Sequence, residues 1–247
     1  MFAISEGAET NMHTGVEHFN EVSPPVALTA DPRTALLVVD MQYHDASPER
    51  GLNAAWERIE PGSMAYYNRR LTGTTVPTIA RLLPFFRDNG MPVIYLVIGS
   101  DYRDLRDCPA RFRQWARNLE QRAGIEDLWW SGNPDFQILE ELAAHEQDTV
   151  IRKTSNGAFN SSCLDQTLQS MGVHNLVITG VVTSACVETT ARDAADRGYH
   201  SVLVDHGTAD YDPEMHDATL RAFEFNLGRV VDTAESVIEA IQRGTDV

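Results

Sequence analysis

The chain alternates between short apolar runs and longer stretches in which apolar residues recur at helical spacing. Six of the short runs are nearly continuous and rich in β-branched residues, as is typical of strands buried on both faces of a sheet. They are Thr34 to Met41, Pro92 to Gly99, Asp148 to Lys153, Asn175 to Val182, His200 to Gly207 and Arg229 to Thr233. Helical patterns lie between them. The sequence therefore predicts an α/β fold, with a six-stranded parallel sheet covered by helices on both faces.

Some segments between these runs are less regular. The stretch 74–90 has a helical pattern that Pro84 is expected to kink or break, and 134–145 predicts a further helix with proline in its first turn. Residues 44–73 lack a clear period and predict a long loop or lid, a kind of segment that is often functional. Residues 1–32 are polar and predict an N-terminal arm, either packed on a neighbouring subunit or partly disordered, ahead of one domain over residues 33–247.

Charge and cysteine content narrow the class of protein. The formal net charge of −16 over 247 residues disfavours binding to nucleic acid or to anionic membranes, because like charges repel. Three widely spaced cysteines give no disulfide framework and no zinc motif, which favours a reducing compartment. The N-terminus lacks the basic and apolar regions of a signal peptide, and no apolar run approaches the roughly 20 residues of a spanning helix. We therefore expect a cytoplasmic protein.

Three reactive side chains follow predicted strands. Asp40 closes the first strand, Lys153 closes the third, and Cys186 follows the fourth in the first turn of a helix. Taken singly, each has an ordinary explanation: a capping carboxylate, a solvated lysine and an inert buried thiol. Ligands of open parallel sheets bind outside the carboxyl ends of the strands, so all three are expected at one site.

Together these residue types suit nucleophilic catalysis. A thiolate is a strong nucleophile, and both a helix N-terminus and a nearby ammonium are expected to lower the pKa of the Cys186 thiol towards ionisation at neutral pH. The Asp40 carboxylate can take the thiol proton and later give it to a leaving amine. The pattern predicts attack by Cys186 on an acyl carbon, with a thioester intermediate.

Three motifs in this order, LLVVDMQ, RKTSNGAF and GVVTSACVETTARDAADRGY, resemble the isochorismatase-like cysteine hydrolases over about residues 33 to 240. The resemblance implies a Rossmann-like, three-layer α/β/α fold with a six-stranded parallel sheet. It also implies that Asp40 is the general base, Lys153 its charge partner and Cys186 the nucleophile. A cis peptide is implied at Val181–Val182, with the amides of Val182 and Cys186 forming an oxyanion hole. The family is usually oligomeric, which implies a homo-oligomer, a dimer or a tetramer.

Departures from the family patterns refine this expectation. True isochorismatases lack the cysteine, so Cys186 argues against vinyl-ether cleavage. Nicotinamidases carry an Asp-x-His metal cluster after the second strand, whereas no histidine lies between Gly99 and Asp135 here, so no metal and no cofactor are expected. The stretch DLRDCP looks like the side of the family that holds biuret hydrolases, N-carbamoylsarcosine amidases and ureidoacrylate hydrolases. Where biuret hydrolases have a substrate-binding glutamine, this chain has the shorter Asn226.

The candidate substrate-binding residues are Gln42, Tyr43, Phe159 and Asn226, although packing roles explain the first three almost as well. The remaining candidates are more easily explained as surface or packing residues: Tyr102, Arg103, Arg106, Trp129, Trp130 and His206. Cys108 and Cys163 have no neighbouring base in the sequence and are interpreted as structural.

The sequence therefore predicts a cysteine amidohydrolase that cleaves a linear C–N bond of a small amide, ureide or carbamoyl compound and releases ammonia or a small amine. Two alternatives remain: a vinyl-ether hydrolase of the isochorismatase type, and a catalytically inactive binding member of the family.

Overall fold

The computed structural model describes residues 24–247. Its centre is a six-stranded sheet, all parallel, in the order β3-β2-β1-β4-β5-β6. The strands are β1 (Thr34–Val39), β2 (Val93–Ile98), β3 (Thr149–Lys153), β4 (Asn175–Val181), β5 (His200–Ala209) and β6 (Arg229–Val231). The α/β fold predicted from the apolar runs is confirmed.

Helices cover both faces of the sheet. They are α1 (Tyr43–Ala46), α2 (Gly51–Ile59), α3 (Ala65–Arg70), α4 (Val76–Asp88), α5 (Ala110–Ala123), α6 (Ala158–Ser161), α7 (Leu164–Met171), α8 (Glu188–Asp196), α9 (Pro213–Asn226) and α10 (Ala234–Arg243). Two π-helical turns, Leu71–Thr75 and Thr183–Val187, lead into α4 and α8. No helix within residues 24–247 is both long and apolar enough to cross a membrane.

Side chains of β1 alternate between two hydrophobic cores, because successive residues of a strand point to opposite faces. Leu37 and Val39 join the core beneath α2, α5, α7, α8 and α9, whereas Leu36 and Val38 join the core beneath α3, α4 and α10. All six residues of β1 are buried. This double burial explains why the strand is a continuous apolar run in the sequence.

Residues 44–73 are largely helical, so the predicted long loop is wrong. They form most of α1, all of α2 and α3, and the start of the π-helical turn Leu71–Thr75. Gly51, the first residue of α2, and Gly62, between α2 and α3, have positive φ angles of 56° and 87° that redirect the chain between these helices. Each helix is too short for the 3.6-residue period to stand out in the sequence.

The helix predicted over 134–145 is also wrong. The segment forms two 3₁₀ turns, Pro134–Phe136 and Glu140–Leu142. Between them Ile138 makes an antiparallel bridge to Gln42, and Leu139 N–H donates to the carbonyl of Met41. These long-range backbone bonds hold the segment extended. By contrast, α4 continues through Pro84, so the expected break does not occur.

The last part of the predicted arm packs on the chain's own C-terminus. Val26 and Val247 exchange two backbone hydrogen bonds, and Val26 and Leu28 are buried. Residues 1–23 lie outside the described residues, so the expected contact of the arm with a neighbouring subunit stays a prediction.

Candidate active site

Three strand ends bring the predicted residues to the carboxyl edge of the sheet. Asp40 directly follows β1, Lys153 is the last residue of β3, and Cys186 lies in the π-helical turn after β4. Asp40 has a φ of 52°, a left-handed conformation that aspartate and asparagine adopt more readily than most residues. Its N–H donates to the carbonyl of Leu96 in β2, which fixes the carboxylate at this edge.

Asp40 and Lys153 form a buried ion pair. Lys153 Nζ lies 2.7 Å from Asp40 Oδ2, and the two side chains are 0% and 1% exposed. Lys153 Nζ also donates to the carbonyl of Ser155 at 3.1 Å. Burial, the largest influence, would lower the pKa of Lys153, but Asp40 and Cys186 together outweigh it and the pKa is raised. The lysine is therefore held as a cation, because a charge taken out of water needs a partner.

Cys186 lies against this pair and is 8% exposed. Its Sγ lies 3.8 Å from the side-chain oxygen of Asn156, to which it donates a weak hydrogen bond. Burial raises the pKa of the thiol well above its usual range, the charge of Asp40 adds to this, and Lys153 opposes it. The direction of this shift is opposite to the lowering expected from the helix start and the lysine, because burial and the carboxylate outweigh the cation.

The pKa of Asp40 is also raised, because its carboxylate is buried, although Lys153 opposes the shift. A higher pKa makes the carboxylate a better proton acceptor than an exposed aspartate. The site thus places a thiol beside a buried carboxyl group and a buried lysine.

The turn that carries Cys186 has the backbone features expected from the family. The peptide between Val181 and Val182 is cis, as predicted from the resemblance. Gly180 has a φ of 113°, and a Cβ atom there would lie 2.0 Å from the carbonyl oxygen of Val39. Only glycine lets β4 approach β1 this closely, directly beside Asp40. On the other side, the N–H of Ser184 donates to Asp210 at 2.6 Å.

A cluster of hydrogen-bonded polar side chains supports the same turn. The Thr183 hydroxyl and His216 Nδ1 share a hydrogen bond of 2.9 Å, and His216 Nε2 lies 3.0 Å from Asp205 Oδ1. Arg70 pairs with Asp205 and donates to the carbonyl of Thr208 at 2.9 Å. These contacts tie the turn to α3, β5 and α9.

Cys186 opens onto a cavity of about 1030 Å³. Its walls come from the nucleophile turn, the loop after β3 and the first half of α5. The polar residues on the walls are Asp45, Arg111, Gln114, Asn118, Ser155, Asn156, Asn160, Thr189 and Tyr211. Apolar and aromatic side chains, including Phe112, Trp115 and Trp129, complete the lining. The space suits a small polar molecule with apolar parts.

None of the four candidate substrate-binding residues lines the cavity. The Gln42 amide is buried and bonds the backbone of Ile98 and Phe136, so it braces the site. The Tyr43 hydroxyl accepts from the Glu140 N–H. Phe159 packs on Tyr199 and Arg197. Asn226 is exposed and ends α9 near the start of β6, at the opposite edge of the sheet.

Most of the remaining candidates have packing or surface roles. Arg103 stacks on Trp130 and pairs with Asp127, Arg106 stacks on the exposed ring of Tyr102, and His206 is exposed. Trp129 is buried and also lines the cavity, so it combines the favoured packing role with the alternative of sealing a pocket. Cys108 is buried and its pKa is raised to about 12 by burial and by Asp107. Cys163 is exposed, so the interpretation of both as structural holds only for Cys108.

Sequence reasoning missed several residues of the site. Asn156 lies inside the RKTSNGAF motif and could have been singled out there. Asp45, His44 and Tyr211 gave no comparable signal, because their positions depend on the helix after β1 and the loop after β5. Within residues 24–247, no three His, Cys, Asp or Glu side chains group as a metal site would require.

Comparison with known proteins agrees with this fold. The isochorismatase domain family matches residues 34–235. The chain is 31% identical over 221 residues to ureidoacrylate amidohydrolase RutB of Methylobacterium radiotolerans, covering 85% of this chain and 80% of that protein. It is 30% identical to the RutB of Pseudomonas syringae pv. syringae, covering 74% and 73%.

Solved structures give the same result. A cysteine hydrolase from Pseudomonas syringae pv. phaseolicola superposes with a TM-score of 0.72 and 26% identity, covering 90% of this chain and 99% of that one. An N-carbamoylsarcosine amidase from Thermoplasma acidophilum shares the fold, with a TM-score of 0.59, 24% identity and coverage of 82% and 97%. The fold is the α/β fold of these hydrolytic enzymes. The chain belongs to the isochorismatase family.

Proposed function

We propose that this protein is a cysteine amidohydrolase that cleaves a linear C–N bond of a small amide, ureide or carbamoyl compound. The observation that carries the proposal is the Cys186 thiol, set on the cavity wall against the buried Asp40–Lys153 pair. The RutB relatives, named as ureidoacrylate amidohydrolases, support amide or ureide chemistry.

The proposed acylation uses Asp40 as the base. Asp40 takes the proton of the Cys186 thiol as Sγ bonds to the substrate carbonyl carbon, whose π electrons move to oxygen. The amides of Val182 and Cys186 are proposed to stabilise that oxyanion. The carbonyl reforms, the C–N bond breaks, and the protonated Asp40 donates its proton to the leaving nitrogen. Ammonia or an amine departs and a thioester remains.

Deacylation repeats these steps with water. Asp40 takes a proton from the water as its oxygen bonds to the thioester carbon, and the C–S bond breaks. The thiolate recovers the proton from Asp40 and the acid product leaves. Lys153 holds the carboxylate charge in place throughout, and its charge stabilises the thiolate while it lasts.

A vinyl-ether hydrolase is the less favoured alternative, because that reaction needs an acid and leaves the thiol without a role. An inactive binding member is disfavoured by the buried ion pair. Such a pair adds little net stability over apolar residues, so its retention beside a thiol points to chemistry.

The direct test is a panel of small amides, ureides and carbamoyl compounds, with released ammonia measured for the parent and for Cys186→Ser. We expect turnover of at least one linear ureide or amide by the parent, and less than a few per cent of that rate in the variant. A folded parent that releases no ammonia from any of them would contradict the proposal. Circular dichroism of both proteins controls for folding.

The proposal also covers the oligomeric state and the cellular location of the protein. We expect a cytoplasmic homo-oligomer, a dimer or a tetramer, with no nucleic-acid or membrane partner, given the net charge of −16. Light scattering at micromolar concentration tests the assembly. A mass near 27.5 kDa, that of one chain, would contradict it.

A further inference from the structure

A second carboxylate, that of Asp45, faces the cavity beside the reacting groups. Asp45 belongs to α1 and lines the cavity wall together with Cys186. Its side chain is 13% exposed, so it is accessible from the cavity yet largely shielded from bulk water. Its charge contributes to the raised pKa values of both Asp40 and Cys186, which places it within electrostatic reach of the reaction. The proposed acylation and deacylation steps do not use it.

The orientation of Asp45 is set by His44. His44 Nδ1 lies 3.1 Å from Asp45 Oδ2, and His44 Nε2 donates to the carbonyl of Ile98 at 3.1 Å. The imidazole is fully buried. Burial, the largest influence, would lower the pKa of His44, but Asp45, Asp40 and the carbonyl of Ile98 together outweigh it and the pKa is raised. The ring therefore lies against one oxygen of Asp45 in an electrostatic contact.

The backbone around this pair is equally constrained. The Tyr67 hydroxyl donates to the carbonyl of Asp45 at 2.8 Å, and the N–H of Asp45 donates to the carbonyl of Gln42. Gly51 packs so closely on His44 that a Cβ atom there would lie 2.2 Å from the His44 backbone. Asp45 therefore cannot swing away from the cavity without breaking several contacts.

The contact with His44 is made by Oδ2, and the carboxylate that also carries Oδ1 lines the cavity. A largely buried carboxylate oxygen is stabilised by hydrogen bonds, and a ligand in the cavity can supply one. A carboxylate only accepts, so that ligand atom must be a donor. Amides, ureides and carbamoyl groups carry such donors in their N–H groups, whereas esters and N,N-dialkyl amides do not.

We propose that Asp45, oriented by His44, is a substrate-recognition residue that accepts hydrogen bonds from the N–H groups of the amide or ureide. The inference rests on the proposed amidohydrolase function and narrows the range of substrates that the enzyme accepts. Substrates must present at least one N–H towards Asp45, and a substrate whose nitrogen atoms are fully alkylated binds poorly. Asp45 selects the substrate, whereas Asp40 moves the proton.

The test compares two variants of Asp45 with a matched control. Asp45→Leu removes the acceptor at similar volume. Asp45→Asn keeps a neutral acceptor oxygen, so it should retain part of the binding. Glu49→Leu is the control, because it removes one exposed carboxylate four residues away and outside the cavity lining. Two probes are used: the panel compound that releases most ammonia, and p-nitrophenyl acetate, an ester without N–H groups.

We expect Asp45→Leu to raise KM for the ammonia-releasing compound by about tenfold or more, which corresponds to about 1.4 kcal/mol per factor of ten. Asp45→Asn should fall between this variant and the parent, and Glu49→Leu should match the parent. Ester hydrolysis should be kept or increased in both Asp45 variants, because removing the charge eases ionisation of Cys186.

The possible failures are distinguishable. A parent that releases no ammonia overturns the proposed function and, with it, this inference. A parent that does release ammonia, with an unchanged KM in both Asp45 variants, overturns the inference alone. Equal losses of amide and ester hydrolysis in a folded Asp45→Asn variant also overturn it, because they would make Asp45 a general support of the site.

Discussion

The Thr183 hydroxyl and His216 Nδ1 are joined by a hydrogen bond of 2.9 Å beneath the turn that carries Cys186. Thr183 is three residues before the thiol, and both partners are buried. A buried hydrogen bond of this kind holds the turn in one position relative to α9. The placement of Cys186 against Asp40 thus depends on residues that do not touch the cavity.

Thr183→Val tests this dependence. It keeps the shape but leaves His216 Nδ1 without its hydrogen-bond partner, which should cost about 1–3 kcal/mol of folding stability. Such a loss lowers Tm by several degrees in a domain of this size. We expect kcat to fall while KM changes little, because the thiol is displaced and the cavity walls are not. Thr183→Ser keeps the hydroxyl and should restore kcat, whereas equal losses in both variants would contradict a role for the hydrogen bond.

Asp205, the next member of this group, gives the stability a pH dependence. Burial alone would raise its pKa, but hydrogen bonds from His216 and Arg70 outweigh burial and hold it below the ordinary value. A carboxyl whose pKa is lower in the folded protein stabilises the fold above its unfolded pKa of about 3.9. That stabilisation is lost as the pH falls through the lower folded value.

Asp205→Asn should therefore be less stable than the parent at pH 6, and the gap should narrow below about pH 4. Urea denaturation of both proteins from pH 3 to pH 7 measures it. A stability difference that stays constant across this pH range would show that the charge of Asp205 does not contribute to folding stability. The exposed Glu214→Gln serves as the control.

Because Asp40 and Lys153 form an ion pair, we expect the effects of substitutions at these two positions on folding stability to be strongly non-additive. Lys153→Met leaves a buried carboxylate without its cation and should cost about 3–5 kcal/mol in urea denaturation. Adding Asp40→Asn removes the second charge, and asparagine tolerates the positive φ of position 40. The double variant should be more stable than Lys153→Met alone, and a double variant that is less stable would refute the coupling.

Alkylation of Cys186 reports its ionisation. With Cys163 and Cys108 replaced by serine, iodoacetamide should react slowly at pH 7 and faster at high pH, because the pKa of the thiol is raised. Lys153 is the group that opposes this rise, so Lys153→Met should move the profile to still higher pH. Mass spectrometry of timed samples follows the reaction, and coincident profiles would exclude electrostatic coupling between Lys153 and the thiol.

The acid limb of activity follows from Asp40. The carboxylate must be ionised to accept the thiol proton, and burial raises its pKa above the ordinary aspartate value. On acidification, activity should therefore begin to fall at a higher pH than it would with an exposed aspartate, whose pKa is about 3.9. A pH profile of kcat/KM measures the limb, with circular dichroism at each pH to exclude unfolding. Full activity at pH 4 would be incompatible with Asp40 as the base.

The sheet and the meeting of Asp40, Lys153 and Cys186 could be predicted because they rest on strong, local signals. Strands buried on both faces leave continuous apolar runs, and the carboxyl ends of parallel strands share one edge. Residues 44–73 were missed because short helices separated by Gly51 and Gly62 show no sustained period.

Other features of the site depend on contacts that are distant in sequence. Gln42 braces Ile98 and Phe136, which lie 56 and 94 residues away, so its role could not be predicted from its neighbours. The same holds for the pKa of Cys186. The helix start, the lysine and the carboxylate were visible in the sequence, but the full burial of the thiol was not. Burial is a property of the packed chain, and here it decides the direction of the shift.

The cavity is lined by two sets of residues that differ in how well they tolerate substitution. Asp40, Lys153 and Cys186 are fixed by strand ends in the core of the sheet, where Gly180 admits no side chain. The outer wall comes from Pro109 to Asn118, at the start of the amphipathic helix α5, where most side chains are exposed. Substitutions on this wall can therefore accumulate at little expense to folding, since surface changes usually shift stability by less than about 0.5 kcal/mol. A lineage could thus acquire new substrates through α5 while its reaction chemistry stayed unchanged.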